Sequence, residues 1–315
     1  MHSSHKKVIF VGGTSYSGST LIDLMLAHGP GGFSCGEVSA VFRPYRKRHI
    51  RYQPHAAPAI HIPWERLLAA GPDNLYATIF NNDPAIERII DSSKDPQWIS
   101  ARTASLKAQG ITTRQVLIWK TPAEFLQSRS KRGRQDNWER AWINYHRHYF
   151  QQVRGFASLS YRKLVTEPQA LATLCEYLAI PYFPGKHEYW RGHYQTLFGN
   201  RSAKIHLSDS HSRENNDSGN ALLASNDMPP APHPPEKHRE IYYEAASANV
   251  SEALTSPRCS PYLTFLEVAE DCLMSRIAGA PEPPPELKAN QVSIMLKSMK
   301  RTTLSAIVRA VTIGK

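Results

Sequence analysis

Two glycines that follow a short apolar run can place backbone N–H groups around an anion. Residues 8–11 are apolar; Gly13 and Gly18 follow them, and Ser19 and Thr20 come next. This is the spacing of the phosphate-binding loop G-x-x-x-x-G-K-[ST], except that Ser19 stands where loops for nucleoside triphosphates have lysine. If a helix begins at Ser19, its N–H groups and dipole favour negative charge at the loop. The spacing predicts a phosphate site built from backbone and hydroxyl groups. A tight glycine turn without a ligand is the alternative.

A carboxylate and an amine come at two further places where the chain can reach the same region. Glu37 follows Cys35 and Gly36 shortly after the first predicted helix, and Lys94 follows a short strand predicted at 88–91. A glutamate in such a position can act as a general base, and the lysine can contact an anion bound at the glycine loop. Each residue also has an ordinary interpretation, as a solvated loop glutamate and as a turn lysine.

A second group of anion-binding residue types follows residue 119. Lys120 comes at the end of an apolar run, and Ser128 and Arg132 lie four positions apart on the helix predicted after it. A four-residue spacing places both side chains on one face of a helix. These three residues predict a second anion pocket. The basic residues at 129, 131 and 134 instead favour a solvated basic stretch.

These residues need a scaffold that brings strand ends together. Short strands are predicted at 8–11, 88–91, 115–119 and 157–161, and helices at 19–27, 137–153 and 168–178. Thr121 and Glu124 form a capping-box pattern with Pro122 at the first helical position, which predicts a helix directly after Lys120. Strands that alternate with helices indicate an α/β fold: a P-loop-like parallel sheet with helices on both faces, plus helical C-terminal additions. Ligands of such sheets bind at the carboxyl ends of the strands.

In this order and spacing, the segments resemble the family of sulfotransferases that use 3′-phosphoadenosine 5′-phosphosulfate (PAPS), in particular its bacterial and tyrosylprotein branches. The resemblance covers roughly residues 7–205. The family's first loop, which binds the 5′-phosphosulfate, corresponds to Tyr16, Ser17, Gly18, Ser19 and Thr20.

The resemblance implies roles for the segments that follow. Glu37 in a Cys-Gly-Glu segment would be the catalytic base, and Lys94 in a Lys-Asp-Pro segment would stabilise the leaving group. The family's 3′-phosphate motif, a cation, a serine eight residues on and an arginine four beyond it, corresponds to Lys120, Ser128 and Arg132.

Two later segments complete the resemblance, and the departures from it are Tyr16, Lys120 and the pair Arg162 and Lys163, which replaces the acidic residue usual after the tyrosine. Tyr161 opens a Tyr-x-x-Leu-x-x-x-Pro run and would contact the nucleotide, while His193 precedes a Gly-Asn-Arg loop whose Arg201 would close near the 3′-phosphate. Tyr16 replaces the basic residue of the first loop, which removes one contact to the donor. Lys120 replaces an arginine, which keeps the charge but loses bidentate contact with phosphate.

The resemblance implies a transferase with PAPS as donor, 3′-phosphoadenosine 5′-phosphate (PAP) as product and no metal. Positioning and charge stabilisation dominate such an in-line displacement. The acceptor would be a hydroxyl of a carbohydrate, glycolipid or other small molecule, because cations and the aromatic residues Tyr45 and Tyr52 crowd the stretch that follows Glu37. A solvated basic loop is the alternative for that stretch.

Two other classes of function compete with this one. The glycine loop suits a small-molecule kinase, which serine in place of the lysine disfavours. A net charge of +11 suits a protein that binds nucleic acid. An anionic donor also explains the charge, and the chain carries no helix-turn-helix, RRM or zinc-finger signature, so no nucleic-acid partner is expected.

Composition divides the 315 residues into five segments. We expect a catalytic core over 1–207, a flexible loop over 208–236, C-terminal helices packed on the core over 237–280, a proline-rich spacer over 281–286 and a basic amphipathic tail over 287–315. Four cysteines without a C-x-x-C pair, and no apolar run of about 18 residues, indicate a cytoplasmic protein. The basic amphipathic pattern of the tail predicts peripheral association with a membrane surface; the alternative is a helix packed back on the core.

Overall fold

A parallel β-sheet organises the computed structural model, which describes residues 6–42, 64–189, 256–276 and 280–289. Each pair of neighbouring strands in the sheet is parallel. The spatial order is β2-β3-β1-β4-β5. In chain order the strands are β1 Lys7–Gly12, β2 Gly32–Gly36, β3 Arg88–Lys94, β4 Thr112–Trp119 and β5 Phe156–Ser160. The predicted α/β fold with a parallel sheet is confirmed.

Helices cover the sheet on both faces. The described helices are α1 Ser19–Ala27, α2 Trp64–Asn82, α3 Pro96–Ala108, α4 Pro122–Ser130, α5 Trp138–Gln152, α6 Tyr161–Thr166, α7 Pro168–Leu178, α8 Ser260–Met274 and α9 Pro285–Lys288, and a 3-10 helix runs over Val38–Phe42. Helix α2 bends where Gly71, with φ 71°, precedes Pro72. Within the described residues no helix combines the length and the apolar character needed to cross a bilayer.

Strand β1 is buried on both faces, which explains why residues 8–11 are all apolar. In β1, Val8 and Phe10 belong to one core with residues of α2, α5 and α8. Ile9 and Val11 belong to a second core, on the opposite face, with residues of α1 and α7. The sheet therefore separates two cores and leaves its strand ends as the places open to a ligand.

The connections that follow β1 and β4 leave the sheet in opposite directions. These two strands are neighbours, but β1 leads to β2 at one edge of the sheet and β4 leads to β5 at the other. Such a reversal opens a crevice at the carboxyl ends of the two strands, where open α/β sheets bind their ligands. The glycine loop after β1 and Lys120 after β4 lie at this crevice.

The C-terminal helices pack against the core. Ser158 of the edge strand β5 donates a hydrogen bond to the carbonyl of Leu266 in α8 at 3.0 Å, and the N–H of Ala280 donates to the carbonyl of Phe156 at 2.8 Å. Helix α9 packs on α5 and buries Leu287. These contacts cover an edge strand that would otherwise expose unpaired backbone groups.

Most of the predicted elements are confirmed, with shifted ends. The predicted strands correspond to β1, β3, β4 and β5, and the helix predicted at 168–178 is α7. The capping box is present: Thr121 N–H donates to Glu124 Oε2 at 2.9 Å, and Glu124 N–H donates to Thr121 Oγ1 at 3.3 Å.

Three details of the sequence interpretation are wrong. No strand was predicted before Glu37, whereas β2 lies there and pairs with β3. Tyr161 is the first residue of α6 and not the last of a strand. Helix α4 ends at Ser130, so Arg132 lies in the turn beyond it and does not share a helical face with Ser128. Gly133, with φ 60° in the left-handed region, follows Arg132 and ends this turn.

Several predictions concern residues outside the described ranges. They include Arg201 and His193, the basic stretch 43–52, the loop 208–236, the segment 237–255 and the tail after residue 289.

Candidate active site

The loop between β1 and α1 needs glycine at two positions. Gly18, the N-cap of α1, has φ 96°, and a Cβ on it would lie 2.4 Å from a ring carbon of Tyr161. A Cβ on Gly13, with φ 151°, would lie 2.6 Å from the carbonyl oxygen of Ile118. Glycine therefore allows the loop to fold closely over the ends of β1 and β4. The first N–H groups of α1 point into the crevice, an arrangement that favours an anion.

Hydroxyl groups line the same loop. Thr14 Oγ1 and Ser17 Oγ are buried and have no hydrogen-bond partner among the described residues, and Ser19 and Thr20 in the first turn of α1 are also buried. A buried hydroxyl without a partner destabilises the fold. An oxyanion would supply a partner, because it accepts hydrogen bonds from hydroxyl and N–H groups alike. The loop therefore fits a phosphate or sulfate group.

Tyr145 of α5 joins this loop to the end of β3. Its hydroxyl accepts a hydrogen bond from Gly13 N–H at 2.6 Å and donates one to the carbonyl of Lys94 at 2.7 Å. Lys94 has φ 66°, a conformation that is uncommon for a residue with a side chain. One half-buried phenol thus holds both the loop backbone and the lysine backbone in place.

The structure brings Glu37 and Lys94 together. Glu37 follows β2 and Lys94 ends β3, and these strands are neighbours, so both residues lie at the carboxyl edge of the sheet. Lys94 Nζ donates a hydrogen bond to Glu37 Oε1 in an ion pair, and the side chains are 18% and 22% exposed. The pair is therefore open to a substrate on one side and fixed by the strands on the other.

A buried carboxylate organises the end of β3. Asp91 accepts hydrogen bonds from Tyr76 Oη at 2.6 Å, from Trp98 Nε1 at 2.8 Å and from Ser93 N–H at 2.7 Å. Burial raises the pKa of Asp91, and these hydrogen bonds oppose that rise. Ser93 in turn accepts a hydrogen bond from the N–H of Ser39 at 2.9 Å. This network ties the 3-10 helix that follows Glu37 to the strand that carries Lys94.

The residues predicted for a second anion pocket also converge. Lys120 Nζ lies 3.1 Å from Ser128 Oγ and 4.4 Å from the ring centroid of Tyr161. Arg132 Nη1 donates to the carbonyl of Ser128 at 2.9 Å, and its guanidinium lies 4.2 Å from the ring centroid of Tyr16. Two cations, a hydroxyl and two aromatic rings therefore surround one side of the glycine loop.

Helix α8 supports Tyr161 from behind. Glu270 Oε1 accepts a hydrogen bond from Ser160 N–H, and Glu270 Oε2 lies 3.3 Å from Lys163 Nζ. Burial raises the pKa of Glu270, whereas these partners lower it. The C-terminal helix thereby fixes the first turn of α6, which presents the Tyr161 ring to Gly18.

Sequence reasoning located two clusters but not the residues that join and support them. Glu37 and Lys94 form one cluster, and Lys120, Ser128 and Arg132 belong to the other. Tyr145, Asp91 and Glu270 were missed. For Tyr145 a weak signal existed, because Tyr145 and Tyr149 are four positions apart in a helix whose apolar face must meet the sheet. Asp91 and Glu270 carry no comparable pattern.

Comparisons with solved structures give partial matches, and two of the matching structures are sulfotransferase domains. No protein-family model and no curated protein matches the chain. The sulfotransferase domain from the curacin biosynthetic pathway is 15% identical over 59% of this chain and 78% of that domain's chain, with a TM-score of 0.42. The sulfotransferase domain from the olefin synthase of Synechococcus PCC 7002 is 20% identical over 59% of this chain and 77% of that chain, with a TM-score of 0.41.

Proposed function

We propose that this protein transfers a sulfuryl group from PAPS to a hydroxyl acceptor and releases PAP. The observation that carries the proposal is the Glu37–Lys94 ion pair beside the glycine loop. An in-line transfer from an anionic donor to a hydroxyl needs a base for the acceptor, a cation for the leaving group and a fixed site for the donor's oxyanions. At adjacent strand ends of this sheet, Glu37 would be the base, Lys94 the cation and the glycine loop the site for the oxyanions.

The two clusters suit the two ends of the donor. Residues 16–20 would bind the 5′-phosphosulfate through N–H and hydroxyl groups, which the buried hydroxyls of Thr14 and Ser17 support. Lys120, Ser128 and Arg132 would bind the 3′-phosphate. The ring of Tyr161 packs between Gly18 and Lys120 and would contact the nucleotide that connects the two ends.

The proposed reaction transfers one proton and exchanges one bond to sulfur for another. As the acceptor oxygen bonds to sulfur, Glu37 takes the acceptor's proton, and the bond between sulfur and the bridging oxygen breaks. Lys94 and the loop N–H groups stabilise the negative charge that then grows on the bridging oxygen, which leaves as part of PAP. The ion pair must therefore open, with Lys94 turning to the donor and Glu37 to the acceptor.

A carbohydrate or glycolipid hydroxyl is the acceptor class that we propose. The 3-10 helix Val38–Phe42 begins directly after Glu37, and the sequence continues into the stretch 43–52 with its arginines, lysine and tyrosines. Aromatic rings stack on sugars, and cations bind their carboxylate or sulfate groups. A panel of sugars, lipids, phenols and tyrosine peptides, assayed with a sulfate donor, identifies the class.

Nucleotide binding separates sulfotransfer from the kinase alternative. We expect PAP to raise the melting temperature of the protein clearly more than ATP with magnesium does, because only PAP has a phosphate for both clusters. The measurement is thermal unfolding at several concentrations of each nucleotide. Stabilisation by ATP with magnesium alone would contradict the proposal and favour a kinase.

Two substitutions separate the chemical step from donor binding. Glu37→Gln and Lys94→Ala should each lower kcat by about 100-fold, since each removes a group that acts in the transition state. Glu37→Gln should leave the Kd for PAP within about twofold, because the base acts on the acceptor. Glu267→Gln, which alters an exposed carboxylate of α8, is the matched control. A Glu37→Gln enzyme that retains most of its rate would show that another group is the base.

A further inference from the structure

Tyr16 lies between two arginines that come from a distant part of the chain. Its φ of 71° lies in the left-handed region, which is uncommon for a residue with a side chain. The guanidinium of Arg132 stacks 4.2 Å from the ring centroid, and Arg134 Nη1 donates a hydrogen bond to the Tyr16 hydroxyl at 3.1 Å. Tyr16 brings no charge to the loop, whereas Arg134 places a guanidinium directly beside it.

The turn after α4 is built to hold Arg134 in this position. Arg129 donates from Nε to the carbonyl of Arg134 at 2.5 Å and from Nη2 to the carbonyl of Asp136 at 3.1 Å. Arg134 N–H donates back to the carbonyl of Arg129 at 3.0 Å, and Gly133 takes the positive φ of 60° that the turn requires. Backbone contacts thus occupy Arg129 and leave the Arg134 guanidinium at the mouth of the loop.

The two guanidiniums beside Tyr16 have like charge and no acidic partner in the described part of the chain. Both side chains are exposed, and neither forms an ion pair with a described carboxylate. Two cations held around one ring repel each other, and an anion bound between them and the loop removes that cost. The guanidinium is also the group best suited to bidentate contact with phosphate.

We propose that Arg134 binds the 5′-phosphate group held by the glycine loop and that the Tyr16 hydroxyl positions it there. Arg132, which donates a hydrogen bond to the carbonyl of Ser128, serves the pocket of Lys120 and Ser128. The inference rests on the proposed function and deepens it, because it assigns a cation of this chain to the 5′ end of the donor. The class of ligand is a nucleoside 5′-phosphate or its phosphosulfate.

Calorimetric titration of the full chain with three nucleotides tests the assignment. AMP carries only the 5′-phosphate, adenosine 3′-phosphate carries only the 3′-phosphate, and PAP carries both. Arg134→Ala should weaken PAP and AMP about tenfold, the size of one charge-assisted hydrogen bond. It should leave adenosine 3′-phosphate within about twofold of the unaltered protein. Arg132→Ala should weaken the binding of adenosine 3′-phosphate more than the binding of AMP.

Two further variants control the interpretation. Tyr16→Phe keeps the ring for Arg132 but removes the hydroxyl that holds Arg134, so it should weaken AMP and add little to Arg134→Ala in the double variant. Arg140→Ala removes an equal charge from an exposed site on α5 and should change no affinity. An Arg134→Ala protein that binds AMP and PAP normally, or that loses all three nucleotides equally, overturns the inference.

Inorganic pyrophosphate distinguishes this inference from the proposed function. If the unaltered protein binds pyrophosphate but not PAP, and Arg134→Ala weakens pyrophosphate about tenfold, the arginine site stands and the sulfotransferase proposal falls. If PAP binds and Arg134→Ala changes nothing, the sulfotransferase proposal stands and the arginine site falls. If the unaltered protein binds neither compound, both are wrong.

Discussion

A single phenol couples the glycine loop to the lysine that we propose as the leaving-group cation. Tyr145→Phe removes the hydrogen bonds to Gly13 N–H and to the Lys94 carbonyl without emptying the space that the ring fills. We expect kcat to fall by about tenfold to a hundredfold, because Lys94 is then free to leave its φ of 66° and misplace its amine. Steady-state kinetics with varied PAPS should place the loss mainly in kcat and not in KM.

Tyr149 provides the matched control for that experiment. It lies one helical turn after Tyr145, with ring centroids 6.2 Å apart, and its buried hydroxyl has no hydrogen-bond partner among the described residues. Tyr149→Phe should keep the full rate and leave the free energy of unfolding equal or slightly higher, because it removes an unpaired buried polar group. If both variants lose the same rate, the effect of Tyr145→Phe comes from general packing and not from its two hydrogen bonds.

The contrast between Lys94 and Tyr145 explains which site residues the sequence can reveal. Glu37 and Lys94 follow strands and lie in short motifs, so their residue types and positions in the sequence already indicate chemistry. Tyr145 acts from the side of a helix through backbone atoms of residues 132 and 51 positions away. Any residue can supply those backbone atoms, so no pattern in the sequence marks the contact.

Helix α5, which carries Tyr145, also carries a buried histidine with a consequence for pH dependence. His146 Nδ1 lies 2.8 Å from the carbonyl of Trp142, and burial lowers the pKa of His146 to about 4. In the unfolded chain the ordinary pKa of histidine is about 6.5. As pH falls from 6.5 towards 4, the unfolded state binds a proton that the folded state does not, so stability decreases by up to about 3 kcal/mol.

Denaturant unfolding between pH 7 and pH 4 tests this dependence. The His146→Phe variant should lose less stability over that range than the unaltered protein, because it has no proton to take up on unfolding at this position. His148→Phe, on the same helix and partly exposed, should follow the unaltered protein. Parallel curves for all three proteins would contradict a neutral, buried His146.

Other elements differ in how far their local sequence determines them. The capping box of α4 forms because Thr121, Pro122 and Glu124 carry all the required groups within four residues. Strand β2 was missed because Gly32–Gly36 contains two glycines and a serine, which have little intrinsic preference for a strand. Its pairing with β3 overrides that preference. Local signals therefore predicted the other strands of the sheet. Strand β2, which ends directly before Glu37, forms through its pairing with β3, and local sequence does not indicate it.

At the scale of the whole molecule, part of the positive charge is structural. Arg88 is buried at the amino end of β3 and donates to the carbonyls of Leu26 at 3.1 Å, Pro30 at 2.7 Å and His28 at 3.0 Å. Lys186 is also buried and donates to the carbonyl of His28 at 2.7 Å. These cations satisfy the carbonyls where α1 ends. They account for some of the net charge of +11 while their hydrogen-bond partners in the described ranges are backbone carbonyls, so the charge alone does not indicate what the protein binds.

In the tail, by contrast, the excess of positive charge favours binding to an anionic surface. Residues 290–315 contain five basic residues and no acidic one, and we propose that they bind an anionic membrane surface. The full chain should then co-sediment with vesicles that contain phosphatidylserine and not with neutral ones, and added salt should release it.

Each basic residue near such a surface contributes about 1 kcal/mol. Replacing three of them, Lys297, Lys300 and Arg301, by alanine should therefore weaken binding roughly 100-fold at low salt. A control that removes three exposed charges from the folded core, Lys107, Arg114 and Arg162, should keep the binding. Equal sedimentation of the two triple variants would place the attraction in the core and rule out the tail as the membrane-binding segment.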